Sequence, residues 1–321
     1  MVRGQLRGLR GAPPRAPRRR GRPPAPDHLQ APDEDVLSAE VVITEFTDPG
    51  CPWAFSAEPF RLKLRWLYGD AIEWQPRMVV LAEDPQEYLD KGLTPDKLAR
   101  GLTMIAQDHG MPIDTSERPR MAATAPACRA VIATRLHAPE AEQAILRAFR
   151  VRCMAGELLD ESSTVRGAAA DAGLDADDVE RWSAEQAVEQ AMRDDMAAAR
   201  DPSGAARVLD GRLADWSGGR RYTCPSYEIV RRSDGVRMSV PGFQPFAAYD
   251  VALANLLPDT ERRPAPESVL EVLEWAGEPL ASREVAVLCD IDDDTARQEL
   301  GRVADEVHIG ADGLWSPRPD A

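Results

Sequence analysis

Residues 41–47, VVITEFT, alternate and are rich in β-branched side chains, and a second run of strand character, IEWQPRMVVLA, follows at 72–82. Between them, FSAEPFRLKLRWLY at 55–68 spaces Phe60, Leu62, Leu64 and Leu67 loosely at helical intervals, and Gly69-Asp70 supplies a stop. A helix between two strands of this length is a βαβ unit. Its strands must pair in parallel through a right-handed crossover, which commits the chain to an α/β fold.

From about 85 to 200 the texture changes to long Ala-, Glu-, Arg- and Leu-rich segments with helical periodicity and no strand signal. AGLDADD at 172–178 reads as a stop followed by aspartate caps. Strand character resumes with YTCPSYEIVRRS (222–233) and GVRMSVPGF (235–243), joined through Ser233-Asp234-Gly235 as a hairpin, and QPFAAYDVALANLL closes the unit near residue 258. The order βαβ, helical insertion, ββα is therefore expected over 39–258. Pro264 and Pro266 mark a linker over 259–266, and residues 267–318 read as three short helices and a hairpin turning at Asp312-Gly313. That pattern predicts a small winged-helix-like second domain.

Charge divides the chain unevenly. Residues 1–26 hold eight Arg, six Pro and no acid, so the remainder carries −23 within a total of −15. We expect residues 1–38 to be a disordered basic leader; it lacks the continuous apolar segment of a secretory signal. The acidic body repels phosphate backbones and anionic lipid, which disfavours nucleic-acid and membrane partners, and no run of about eighteen apolar residues offers a membrane span. The C-terminal segment, 264–321, holds fourteen acids and four Arg, and its third helix begins IDDDTARQEL. A protein-docking or dimerising role is expected there rather than DNA binding. Cys51, Cys128, Cys153, Cys224 and Cys289 are odd in number and scattered, which fits neither a disulfide framework nor a zinc site and points to the cytoplasm.

Two motifs carry a resemblance. FTDPGCPWAF at 46–55 joins the first strand to the first helix, and TCPSYEI at 223–229 opens the late hairpin. Together with the element order they resemble the thioredoxin fold in its DsbA-like branch, which includes FrnE-type dithiol–disulfide oxidoreductases. The resemblance covers roughly residues 40–258. It implies a thioredoxin-like α/β fold with a helical insertion, Cys51 as nucleophile with Pro52 and Trp53 shaping it, and a cis bond before Pro225. It also implies that Thr223 and Cys224 face a thiol or disulfide substrate, whether a protein or a small thiol. The sequence departs from the family at one place: the second motif cysteine is Ala54.

At a helix N-terminus the unpaired amides favour a thiolate, so Cys51 is expected to be partly exposed and ionised near neutral pH. Pro52 suits the first helical position, where its missing amide hydrogen would have had no partner. With Ala54 in place a mixed disulfide on Cys51 has three fates. A low-molecular-weight thiol such as glutathione or mycothiol releases it, making the chain a monothiol exchange enzyme that needs no other cofactor. Cys224 releases it by forming a Cys51–Cys224 disulfide. Or exchange has been lost and the pocket only binds. Within enzymes, the alternative is a thiol-dependent transferase or isomerase of the kappa or hydroxychromene carboxylate isomerase type.

The other candidates receive plainer readings. Cys128, Cys153 and Cys289 are read as packed apolar positions. His28, His109, His137 and His308 share no spacing, so no metal or Cys-His site is assigned. Asp48, ahead of Pro49-Gly50, is expected to cap the coming helix rather than to take a proton from the cysteine. Glu45 lies on one face of the first strand.

Overall fold

The computed structural model describes residues 39–319; the expected leader at 1–38 lies outside the described residues. Strand β1 (Val41–Thr47) leads through helices α1 (Pro52–Ser56) and α2 (Glu58–Tyr68) to β2 (Ile72–Met78). β1 and β2 pair in parallel, from Val41 against Ile72 to Thr47 against Met78. One expected helix is two, because Pro59 has no amide hydrogen to reach back to Phe55 and the chain breaks at Ala57. The second strand is shorter than its apolar run, which continues to residue 82. Val80 turns the backbone at φ +56°, rare for a β-branched residue. The amides of Leu81 and Ala82 then donate to the side chains of Asp48 and Thr124 instead of to a strand.

The helical block comprises α3 (Gln86–Asp90), α4 (Pro95–His109), α5 (Ala125–His137), α6 (Glu142–Met154), α7 (Ser162–Asp171), α8 (Ala176–Ser183), α9 (Gln186–Ala199) and α10 (Gly204–Val208). Its axis is α5, small or apolar nearly all round, as a helix enclosed by others must be. Ile132, Phe149, Val179 and Met192 share its core. Asp175 caps α8 as the sequence suggests, accepting from the amides of Asp177 and Asp178.

A short ribbon, β3 (Ala214–Trp216) and β4 (Gly219–Arg221), precedes β5 (Ser226–Arg231), β6 (Arg237–Val240) and α11 (Phe246–Leu256). The main sheet runs β2-β1-β5-β6, with β5 antiparallel to β1. This is the thioredoxin-like arrangement expected, and its register matters for the site: Phe46 lies opposite Ser226, so the Cys224–Pro225 bend adjoins the loop that leaves β1.

The chain ends with α12 (Val269–Ala276), β7 (Leu280–Ala281), α13 (Ser282–Cys289), α14 (Asp293–Val303), β8 (Ala304–Ile309) and β9 (Asp312–Pro317). The hairpin turns at Gly310-Ala311, since Ile309 already pairs with Asp312. Gly310 takes the positive φ, and Asp312 is drawn inward to accept from Ser282 at 2.8 Å. The three aspartates opening α14 are used locally: Asp292 caps the helix, Asp293 pairs with Arg283 and Asp294 with Arg297. Leu62 and Trp66 of α2 lie in one core with Leu273, Val285 and Leu300. Phe55 of α1 lies in another with Ala281, Ile309 and Leu314. The described residues form one compact unit.

Buried charge joins the layers. Arg150 of α6 donates to Glu45 of β1 at 2.8 Å, to Thr47 and to Glu58 of α2. Arg147, one turn earlier, donates to Glu284 of α13 at 2.7 Å and lies 3.8 Å from Glu58. Arg61 approaches Glu45 at 3.5 Å and Glu58 at 3.6 Å. Buried charges persist where they are paired in this way.

Candidate active site

Cys51 is the N-cap residue of α1, with extended backbone (φ −85°, ψ 113°), and Pro52 opens the helix. Its Sγ lies 3.4 Å from the carbonyl oxygen of Cys224, within the peptide link to Pro225, and that link is cis. As a thiol Cys51 donates to this carbonyl. As a thiolate it accepts from the Cys224 thiol and from the amides of Ala54 and Trp53. The Cys224 thiol contributes most, and these donors outweigh burial and the nearby Asp48 charge, so the Cys51 thiol is held below its ordinary value. Cys224 moves the other way, pushed well up by burial and then by the neighbouring Cys51. The pair thus divides into an acidic thiol and one that keeps its proton.

Cys51 is only 5% exposed, less than the partial exposure expected of it. Access is through a cavity of about 440 Å³ that Cys51 lines together with Trp53, Thr223 and Cys224. Its far walls come from the insertion: Tyr88 of α3, Leu98 and Leu102 of α4, and Leu158 and Leu159 after α6. A second hollow of about 330 Å³, lined by Arg212 and Phe243, shares Trp53, Thr223 and Cys224 with the first. The Thr223 hydroxyl donates to the Arg212 carbonyl at 3.0 Å, and the Thr223 carbonyl accepts from Ser226 at 2.7 Å. Pro225 is buried behind this loop.

Asp48 does not cap α1. One carboxylate oxygen accepts from the Gly50 amide at 2.8 Å, and the other from the Leu81 amide and the Thr124 hydroxyl, each at 2.8 Å, and from Cys128 at 3.6 Å. Complete burial raises its pKa, against the pull of these donors. Its physical role is to fasten the cysteine loop to the end of β2 and to the start of α5. Glu45 is buried in the ion network and faces Arg150, away from the thiol chemistry.

Three residues at the site carry no local signal in the sequence. Cys153, read there as a packing residue, lines the Cys51 cavity, and burial pushes its thiol up to about 12. Tyr88 also lines it, and burial, then the neighbouring Asp48, Cys153 and Cys51, keep its hydroxyl protonated. His109 stacks edge-on to Trp53 at 5.1 Å and against Phe243 at 4.6 Å, with its pKa lowered by burial. Cys128 lies in the core of the insertion and Cys289 beside the C-terminal core. Among the described residues no group of His, Cys, Asp and Glu is arranged to hold a metal ion.

The family model for the DSBA-like thioredoxin domain matches residues 42–203. Among solved structures, the probable DsbA oxidoreductase of Streptomyces coelicolor is 18% identical with a TM-score of 0.48, covering 68% of this chain and 91% of its own. The cytosolic disulfide reductase DsbM of Pseudomonas aeruginosa is 18% identical with a TM-score of 0.46, covering 67% of this chain and 99% of its own. A 2-hydroxychromene-2-carboxylate isomerase is 14% identical with a TM-score of 0.42, covering 67% and 95%. No curated protein gives a significant match. With the domain match spanning half of the chain around Cys51, the protein belongs to the DSBA-like thioredoxin domain family.

Proposed function

We propose that the protein is a thiol–disulfide oxidoreductase that works through the single motif thiol of Cys51. The observation that carries this is the position of the Cys51 sulfur, at the start of α1, against the Cys224 carbonyl and on the wall of a cavity. The Cys51 thiolate attacks one sulfur of a disulfide, forming a mixed disulfide and releasing the other half as a thiolate. Ala54 offers no second sulfur. A low-molecular-weight thiol such as glutathione or mycothiol then attacks the substrate sulfur, and Cys51 leaves as the thiolate it was. Trp53 shields one side of the sulfur, and Thr223 and Cys224 face the incoming disulfide. We place this chemistry in the cytoplasm, a reading supported by five cysteines that are all free thiols. No described helix is long and apolar enough to cross a membrane.

Alkylation of Cys51 followed across pH tests the proposal, with Cys51→Ser as the blank. The midpoint is expected below that of an ordinary thiol, with turnover of a mixed disulfide only when a small thiol is supplied. A midpoint at or above the ordinary value, with no turnover, refutes it. Thiol titration of the protein as isolated should find all five thiols free; a disulfide would argue against the compartment.

One observation favours a second reading as thiol-dependent transferase or isomerase. The cavity is walled mainly by apolar side chains and is of small-molecule size. The fate of glutathione separates the two: exchange converts it to a disulfide, whereas isomerisation returns it unchanged.

A further inference from the structure

Five charged residues line the Cys51 cavity, and four of them are basic: Lys97, Arg118, Arg120 and Arg221, with Glu157 the exception. This reverses the balance of the whole chain, in which 54 acids outnumber 39 basic residues. Three of the five are neutralised in place. Arg118 pairs with Asp114 at 3.2 Å, Arg120 with Asp160 at 2.7 Å, and Glu157 with Arg152 at 2.9 Å. Lys97 and Arg221 are not. Their hydrogen bonds go to backbone carbonyls, Lys97 to Gly92 at 2.6 Å and Arg221 to Tyr222 at 2.8 Å. Neither has a carboxylate within ion-pair distance among the described residues. Arg221 lies at the sulfur end, close enough for its charge to act on Cys224. The same cavity is lined by the apolar side chains of Leu98, Leu102, Ile105 and Leu159.

From this arrangement we infer that the disulfide substrate reaching Cys51 is a small organic anion: an apolar alkyl or aromatic body bearing a carboxylate or comparable acid group. The apolar wall takes the body out of water, and the charge is met by half-buried Arg221, where screening by water is reduced, or by exposed Lys97. A cationic or strongly polar disulfide gains neither. The inference rests on the exchange reading of Cys51, and the test separates the failure of one from the failure of the other.

The probes are dithiobis(nitrobenzoate), a dianionic aryl disulfide, and dithiodipyridine, its neutral counterpart. In each case the Cys51 thiolate attacks one sulfur, the S–S bond breaks, a Cys51–aryl mixed disulfide forms and a coloured aryl thiolate or thione leaves. Rates on the full chain are corrected with Cys51→Ser, which removes the contribution of the other thiols. The quantity read is the anion-to-neutral rate ratio, divided by the same ratio for N-acetylcysteine, so that the thiol's own reactivity cancels. A normalised ratio on the order of ten is expected, falling towards one as salt rises. Lys97→Gln and Arg221→Gln should each lower it about threefold; Lys97 is exposed on α4, so that variant stays informative even if Arg221→Gln folds poorly. A ratio at or below one, as the acidic body alone would give, overturns the inference while leaving Cys51 a nucleophile. Rates unchanged in Cys51→Ser overturn the exchange reading itself.

Discussion

Replacing Arg150 by Met tests the buried charge network that holds the site's platform together. The Arg150 side chain is 1% exposed and binds both Glu45 and Glu58. Complete burial by itself raises the Glu58 pKa, but the charges of Arg150, Arg61 and Arg147 overcome it and hold the carboxyl at about 2, against 4.5 for a free glutamate. At roughly 1.4 kcal/mol per pH unit, that shift corresponds to about 3 kcal/mol of stability at neutral pH. Because the folded-state value is depressed, this stability is fully present above about 4.5 and is lost as pH falls towards about 2. Arg150→Met keeps the bulk and removes the charge that acts most on Glu58, and breaking a buried pair typically costs about 3–5 kcal/mol. Arg61 and Arg147 remain beside Glu58, which puts the expected loss near the lower end, about 3 kcal/mol at pH 7. Urea denaturation followed by tryptophan fluorescence at several pH values measures it. The gap between wild type and variant should narrow as the medium is acidified, since the variant has less carboxylate stabilisation to lose. Adding Glu58→Gln to Arg150→Met should recover much of the loss. A neutral-pH gap under about 1 kcal/mol, or one that stays constant on acidification, would show that the network contributes little.

Cys224→Ala removes the main donor to the Cys51 thiolate, so the alkylation midpoint of Cys51 should move up; a midpoint that does not move refutes the proton-sharing pair. Ala54→Cys restores a second motif sulfur at a buried position on the same turn, and mild oxidant should then consume two thiols and yield a peptide linking 51 to 54. Failure to find that peptide would show that the loop cannot bring the two sulfurs together. Gly310→Ala drives a Cβ into the Ile113 carbonyl oxygen at a residue with φ +62°. A loss on the order of 2 kcal/mol is expected in thermal unfolding, and wild-type stability would mean that the hairpin does not press on the 111–114 segment.

The frame of the molecule was legible where the signal was local. The βαβ unit, the Asp234-Gly235 turn and the cysteine at the strand-to-helix joint follow from short-range alternation, turn chemistry and helix-start rules. Cys224–Pro225 became legible through the family resemblance, and the register of Phe46 opposite Ser226 is its physical basis. What escaped was set by long-range packing. Asp48 obeys a capping pattern, yet its carboxylate turns to Leu81 and Thr124, partners brought to it by β2 and α5. Cys153 sits in a helix with the periodicity of a packing residue, and only the fold of the insertion turns it towards Cys51. Tyr88 and His109 join the site for the same reason. The hairpin turn moved to Gly310-Ala311 because Asp312 had a buried partner, Ser282, that the local Asp-Gly signal does not contain.

Within the proposed exchange reaction, Ala54 and Cys224 bear on the same step. A resolving thiol must ionise to attack, and attack is slow for a sulfur that keeps its proton. Cys224 is in that condition, its thiol pushed well up by burial and by Cys51 itself. It does keep a proton to donate, and that hydrogen bond is the largest of the contributions that hold the Cys51 thiol down. In the proposed cycle Cys224 would therefore serve the first half, generating the nucleophile, better than the second, releasing the product. If Cys51 exchanges as proposed, a donor of this kind beside it favours release of the mixed disulfide by a thiol from solution over attack by Cys224.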